Sequence, residues 1–374
     1  MLNLLKHFSA KKESGFFAYQ GIGSPQWTPN RYDALSAEGF QKNVFVFRAV
    51  NLIARGISSI PISVRNYDNK NENEFLTKIF KRPNEFQTKS SFLENLVSYL
   101  LISGNAFIHC SDDNEFYCLR SDRVQIVPNR NKTAVESYVY AVDSTKFHIE
   151  KKDLLHLKFF NPLNDWYGFS PLQAASHAID EHNEMSKHNL AILQNGGRPS
   201  GCLVVKNAEN LTDEQRRQLR SDIHNAYEGS ANAGRVMVLE GGLEWKEIGL
   251  SPKDLDFHAG KNIVAREIAQ AFGIPPLLIG IQGDSAFTSY KEARLHFWED
   301  TIIPIAEFIR LEFSNWFSSR FNQAVEIIFD LDAVHALISR RESLWNKVSN
   351  ADFLTTNEKR EILGYPPIEG KNKI

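Results

Sequence analysis

The chain is poor in the residues that mark whole functional classes. It has three cysteines, Cys110, Cys118 and Cys202, an odd number without metal-ligand spacing. Neither a disulfide framework nor a zinc site follows, and reduced thiols are expected. No apolar run reaches the roughly 18 residues that a spanning helix needs. The opening MLNLLKHFSAKK lacks an apolar h-region and a small-residue cleavage site, so export is not expected. Charge of one sign is lacking too: 43 Lys and Arg stand against 45 Asp and Glu, a net of −2. That excludes a strongly basic protein that grips nucleic acid by neutralising its phosphates. No GxxxxGK[ST] loop occurs, which excludes an ATP-driven motor of that kind. What the chain does have is length and aromatic mass. Its 374 residues allow two or three packed units at about 100–200 residues each. Its 26 Phe, 11 Tyr and 6 Trp can fill their cores.

Periodicity divides the chain. Residues 1–40 are mixed and turn-rich and read as an arm, with order beginning at Asn43. Phe47, Val50, Ile53, Ala54 and Ile57 recur at helical spacing, and Pro61 ends that helix. ISVRNY (62–67) alternates as a strand. A helix is expected over 92–101, capped by Ser90 or Ser91, and short strands over 106–110, 116–119, 124–127, 138–142 and 154–159. Together these make an α+β unit. Residues 171–195 read as one helix with Pro171 at its first position and Asn195-Gly196-Gly197 at its end. A compact insert follows: strands over 202–205, 235–239 and 243–248 around a polar helix, 212–227. A second helix, 255–272, leads back out, so the pattern is a stalk with a head on its tip. The remainder is a long helix from Ser289 to Phe317 bent at Pro304, a strand over 324–329, and helices over 333–350 and 356–363. Asp332, Thr355 and Thr356 are the candidate caps of the last two.

The segment from Ile268 to Pro304, IAQAFGIPPLLIGIQGDSAFTSYKEARLHFWEDTIIP, carries the most information. A helix runs into Gly273 and Pro275-Pro276, a small-residue loop follows, and a second helix begins. It reads as a shaped loop held between helices. Gly283-Asp284-Ser285 with Asp332 and His335 mimics the GDS and DxxH elements of SGNH-type esterases, where a serine needs a base within hydrogen-bond reach. In those enzymes the block follows an early buried strand, whereas here it lies late and too close to His335 for a sheet to intervene. His177, His182 and His188 share a helix at spacings of five and six, not the three or four that put two imidazoles on one face. No metal or cofactor is expected. Arg198, Lys206, Arg216, Arg217, Arg220 and Arg235 concentrate in the insert, diluted by acids, and read as solvated surface or as contact with a partner.

Blocks along the chain resemble the HK97-type phage portal proteins in the family's order. They are NVFVFRAVNLIARGISSIPI, KRPNEFQTKSSFLENLVSYLLISGNAF, LRSDRVQIVPN, DLLHLKFFNPLNDWYGFSPLQAA, NGGRPSGCLVV, AGRVMVLEGGLEWKEI, AREIAQAFGIPPLLIG and TTNEKREILGYPPIEG, spanning about residues 41–370. The resemblance implies an α+β portal fold assembled as a ring. In it 1–40 is an N-terminal arm, 41–170 an α/β wing, 171–197 and 254–273 stem helices, and 198–253 a clip. Residues 274–288 would be the tunnel loop, 289–332 a kinked helix and wing strand, and 333–374 a helical crown. It implies a non-enzymatic ring of about twelve subunits, closed by head-to-tail contacts, at one capsid vertex of the virion and assembled in the bacterial cytoplasm. Double-stranded DNA would pass without sequence reading. The large terminase subunit, a head–tail adaptor and the major capsid protein or scaffold are the implied partners. Gln282, Asp284, Ser285 and Thr288 are then expected to face the channel, and Arg216, Arg217 and Arg220 to dock partners. An esterase using Ser285 and His335, or a non-ring adaptor that binds protein only, are the alternatives.

Overall fold

The computed structural model describes residues 27–68, 71–194, 201–205, 212, 214–215, 217–219, 221–222, 243–247, 257–281, 287–365 and 367–368. Helical structure begins earlier than the expected Asn43. A turn of helix, α1 (Tyr32–Leu35), runs into a π-helical stretch, Ser36–Gln41. The reason is tertiary: Leu35 and Gly39 are buried, so this segment packs although it lacks a helical hydrophobic period. Helix α2 (Val44–Ser59) starts at Asn43, whose side chain accepts from Phe45 and Val46 N–H at 3.1 and 3.3 Å. Its apolar stripe, from Val46 to Ile57, is fully buried.

Strand β1 (Ile62–Asn66), helix α3 (Glu74–Lys81) and helix α4 (Lys89–Ser103) follow. The cap of α4 is Thr88, not Ser90 or Ser91; Ser91 completes a reciprocal capping box three residues on. Strands β2 (Asn105–Cys110), β3 (Phe116–Leu119), β4 (Val124–Pro128), β5 (Val135–Val142), β6 (Thr145–Glu150) and β7 (Leu154–Lys158) form two antiparallel sheets, ordered β3-β2-β7 and β4-β5-β6. The first sheet packs on the large helical core. The second closes over Phe107, Leu119, Val124, Ile126, Tyr138, Ile149 and Leu154.

The expected helix over 171–195 is two pieces, α5 (Pro171–Ala174) and α6 (Ser176–Gln194), broken at Ala175. Ser170 caps the first through a capping box with Gln173. Strands β8 (Gly201–Val205) and β9 (Leu243–Glu247) pair antiparallel. The expected strand over 235–239 lies outside the described residues. Helix α7 (Phe257–Ala271) returns and packs on α6. Helix α8 (Phe287–Phe297) passes through a π-helical turn, Trp298–Ile302, into α9 (Ile303–Phe321), which carries Pro304 in its first turn. The irregularity expected at Pro304 is thus a π-turn just before it. Strand β10 (Val325–Phe329) pairs with β1, Ile62 facing Phe329, and joins two distant parts of the chain. Two 3₁₀ turns precede α10 (Ile338–Ser349), and Asp330, not Asp332, caps the first of them. Thr355 caps α11 (Thr356–Ile362) with Glu358.

Candidate functional site

Helices α6 and α7 form an antiparallel hairpin that is buried at one end. On α6, Ala178, Ile179, Asp180, His182 and Asn183 are buried. Towards its C-terminus Lys187, His188, Leu190 and Leu193 are exposed. On α7 the gradient runs the other way: Ile263 is exposed, while Val264, Ala265, Ile268, Ala269 and Phe272 are buried. The free ends of both helices therefore lie where the chain leaves for the β8–β9 insert.

A polar clamp fixes the buried end. Asp180 accepts the Thr28 backbone N–H at 2.7 Å and the Thr28 hydroxyl. Asn183 donates to the Glu38 carbonyl at 2.9 Å. Asn43 sets the rest by elimination. Its Oδ1 is committed to two backbone N–H groups at the α2 cap, so its Nδ2 must donate, to His182 Nδ1 at 3.2 Å and Asn183 Oδ1 at 3.1 Å. His182 is then the Nε2–H tautomer, and that atom is buried without a hydrogen-bond partner among the described residues. Burial, and secondarily the Lys261 ammonium, hold its pKa down at about 4. His177 and His188 are exposed, His177 meeting the Trp27 ring edge-on at 4.6 Å. The three helical histidines do not converge. Among the described residues no group of three or more His, Cys, Asp or Glu side chains could hold a metal.

The loop after α7 is anchored at its base. Gly273 turns the chain at φ +66°, and Ile274 N–H returns to the Ala269 carbonyl at 2.9 Å. Pro276–Ile279 form a 3₁₀ turn closed by Gly280 at φ +86°. Thr301, on the π-turn, donates its hydroxyl to the Gly273 carbonyl. The π-turn also lies on α2: a Cβ at Gly56 would sit 2.8 Å from Ile302 Cδ1. From Gly273 to Ile281 no residue is charged, and Leu278, Ile279 and Ile281 are buried. A rigid apolar footing thus carries whatever follows it.

Of the expected channel residues, Gln282, Asp284 and Ser285 lie outside the described residues, and Thr288 falls in the first turn of α8. Arg216 and Arg220 also lie outside; Arg217 is exposed on a helical stretch. His335 is exposed in a 3₁₀ turn, and the Asp332 carboxylate stands 3.4 Å from the Arg341 guanidinium. Asn43, Asp180 and Thr301 were invisible to periodicity, because each acts through side-chain hydrogen bonds to a remote segment. An Asn just ahead of a helical stripe was the one available signal.

Hairpin, clamp and anchored loop define an architectural α+β subunit. Comparison makes the class specific. The model of the phage portal protein family matches residues 45–364. The portal protein of Enterobacteria phage HK97 is 24% identical over 348 residues, covering 87% of this chain and 79% of its own. A chain in the neck of an empty GTA particle, computed with C6 symmetry, is 38% identical with a TM-score of 0.72. One in the neck of a native GTA particle, computed with C12 symmetry, is 37% identical with a TM-score of 0.70. Both cover 93% of this chain and 97% of their own. The chain belongs to the phage portal protein family, and its function is that of a portal protein.

Proposed function

We propose that the chain is one subunit of a closed ring at a single capsid vertex, the channel through which double-stranded DNA is packaged and ejected. Near-complete coverage of a chain in a neck computed with C12 symmetry carries this reading. It supports about twelve subunits related by rotation, each offering one face to the next. The stem is 171–197 and 254–273, the clip 198–253, the wing 41–170 with 289–332, and the crown 333–374. The N-terminal arm is 1–40. The exposed tip and clamped base of the hairpin support the stem assignment.

Passage of DNA needs a wall that does not grip. Each neutralised phosphate steepens the salt dependence of binding by about 0.9 and holds the duplex more tightly. A formal −2 per chain becomes about −24 per ring of twelve, which favours sliding. The loop 274–288 enters the lumen from its apolar footing and presents Gln282, Asp284, Ser285 and Thr288. The clip, through Arg216, Arg217 and Arg220, docks the large terminase subunit and then a head–tail adaptor. The wing meets the major capsid protein or scaffold. The role is non-enzymatic, in keeping with membership of the portal protein family. Assembly takes place in the bacterial cytoplasm, and the finished ring resides in the virion.

Electron microscopy of the purified protein, with native mass spectrometry of the same sample, tests this. Rings with a hole wide enough for duplex DNA are expected. A uniform monomer that stays monomeric when the other capsid components are added overturns it. Substituting Gly280–Thr288 is expected to impair packaging with the ring intact; lost assembly would remove the lumen assignment.

A further inference from the structure

Away from the hairpin, a cleft of about 950 Å³ opens between the β4–β5 turn, the β6–β7 turn, the 159–169 loop and α9. Its lining is basic in a chain that is not: Lys132, Lys151, Lys152 and Lys158 against the lone carboxylate of Asp165. Lys152 is offset by Glu150 at 2.8 Å, but both groups are exposed and such a pair is weak. Lys158 donates to the Asp165 backbone carbonyl and has no ion-pair partner among the described residues. Lys132 and Lys151 are exposed and have no ion-pair partner among the described residues. Lys132 sits at φ +53° in the β4–β5 turn.

The floor is aromatic and sunken. Trp316 is 8% exposed, and its indole N–H is already used on the Lys152 carbonyl at 3.0 Å, so it offers apolar surface and no donor. Trp166, which also lines the cleft, is half-buried. His156 stacks on Phe107 at 4.2 Å, and burial depresses its pKa to about 3, so this wall adds no charge at neutral pH. Phe160 and Leu163, on the same loop as Trp166, are 85% and 95% exposed.

We propose that this cleft is a docking site for an acidic peptide segment of a partner protein, one that places an aromatic side chain on the Trp166–Trp316 floor and carboxylates against the lysine rim. Charge complementarity selects an anion, and depth selects a peptide. A DNA duplex carries its phosphates outside and keeps its bases stacked, so it would meet the rim and leave the floor empty. Single strands stack on open aromatic platforms beside the backbone track, not on one recessed below the charges. The volume lies in the upper range of sites that enclose a small ligand, room for several residues of extended chain. Lysines act here as point charges, which suits a flexible acidic segment better than fork-to-fork pairing would.

The test uses full-length protein, with its assembly state checked by electron microscopy. Binding of a fluorescein-labelled dodecapeptide of Asp and Glu around one central Phe is read by anisotropy, beside a duplex oligonucleotide. Saturable peptide binding is expected, weakened at least tenfold by Lys132→Glu with Lys151→Glu, and about tenfold by Trp166→Ala or by Phe→Gly in the peptide. Both lysines are exposed, so the charge variant should keep the wild-type melting temperature. Absence of peptide binding, equal binding by the charge variant, or cleft-dependent binding of the duplex alone each overturns the proposal. None of these outcomes bears on whether rings form, so the portal reading stands or falls separately.

Discussion

The base and the tip of the α6–α7 hairpin belong to the same two helices, yet opposite means hold them. At the base, Asp180, His182 and Asn183 are drawn into a polar network with Thr28, Glu38 and Asn43, and Ile179 joins the apolar core. Towards the tip, Leu190 and Leu193 are 54% and 66% exposed. A monomeric protein has little reason to lift apolar residues away from its body on a hairpin, whereas a ring subunit has neighbours to cover them. Substitution at the base should therefore unfold the chain, and substitution at the tip should dissolve the assembly.

The largest effect is expected at Asn43. Asn43→Ala removes a helix cap and strands two buried partners, a loss of about 2–3 kcal/mol in urea unfolding. Gly273→Ala comes next, at about 1–3 kcal/mol, because alanine is strained at positive φ. Its Cβ would also lie 2.8 Å from Thr301 Oγ1. Thr301→Val, losing only the hydroxyl bond to Gly273, should cost about 1–2 kcal/mol by the same measurement.

Acid should act on the base through His182 and on β7 through His156. His182, near 4 in the folded chain, and His156, near 3, titrate at about 6.5 when unfolded. Between those values the unfolded chain binds more protons, so their contribution is present above pH 6.5 and lost as pH falls towards 4. Thermal scans across that range should show a falling melting temperature, with a shallower slope in His182→Gln. The smallest effect on the fold is expected at the tip. Leu190→Ser with Leu193→Ser should change unfolding by no more than about 0.5 kcal/mol while native mass spectrometry shows fewer closed rings. A variant that unfolds instead would erase the contrast.

The same division governs what the sequence displayed. Helix α2 was legible because its stripe repeats every three or four residues, and the footing of the loop because Gly273 and Pro275-Pro276 are strong punctuation. Strand β6 escaped because all but one of its residues are exposed and charge interrupts its alternation. Helix α3, eight residues after a turn, offered too short a period. The β1–β10 pairing and the Thr301–Gly273 bond join segments with no local sign of each other. The lysines of the cleft come from the β4–β5 turn, the β6–β7 turn and the end of β7, and only the fold gathers them.

The π-helical turn at Trp298–Ile302 has a geometric consequence of its own. An α-helix advances about 100° per residue, so one residue more or less in that turn rotates all of α8 about its axis relative to α9. Thr301 would swing off Gly273, and the loop that α8 terminates would start from another heading. The direction of the loop is thus set by a count of residues, like a tooth on a gear. Shortening the turn by one would leave the composition of the loop untouched and still misalign it, by the same angle, in every subunit.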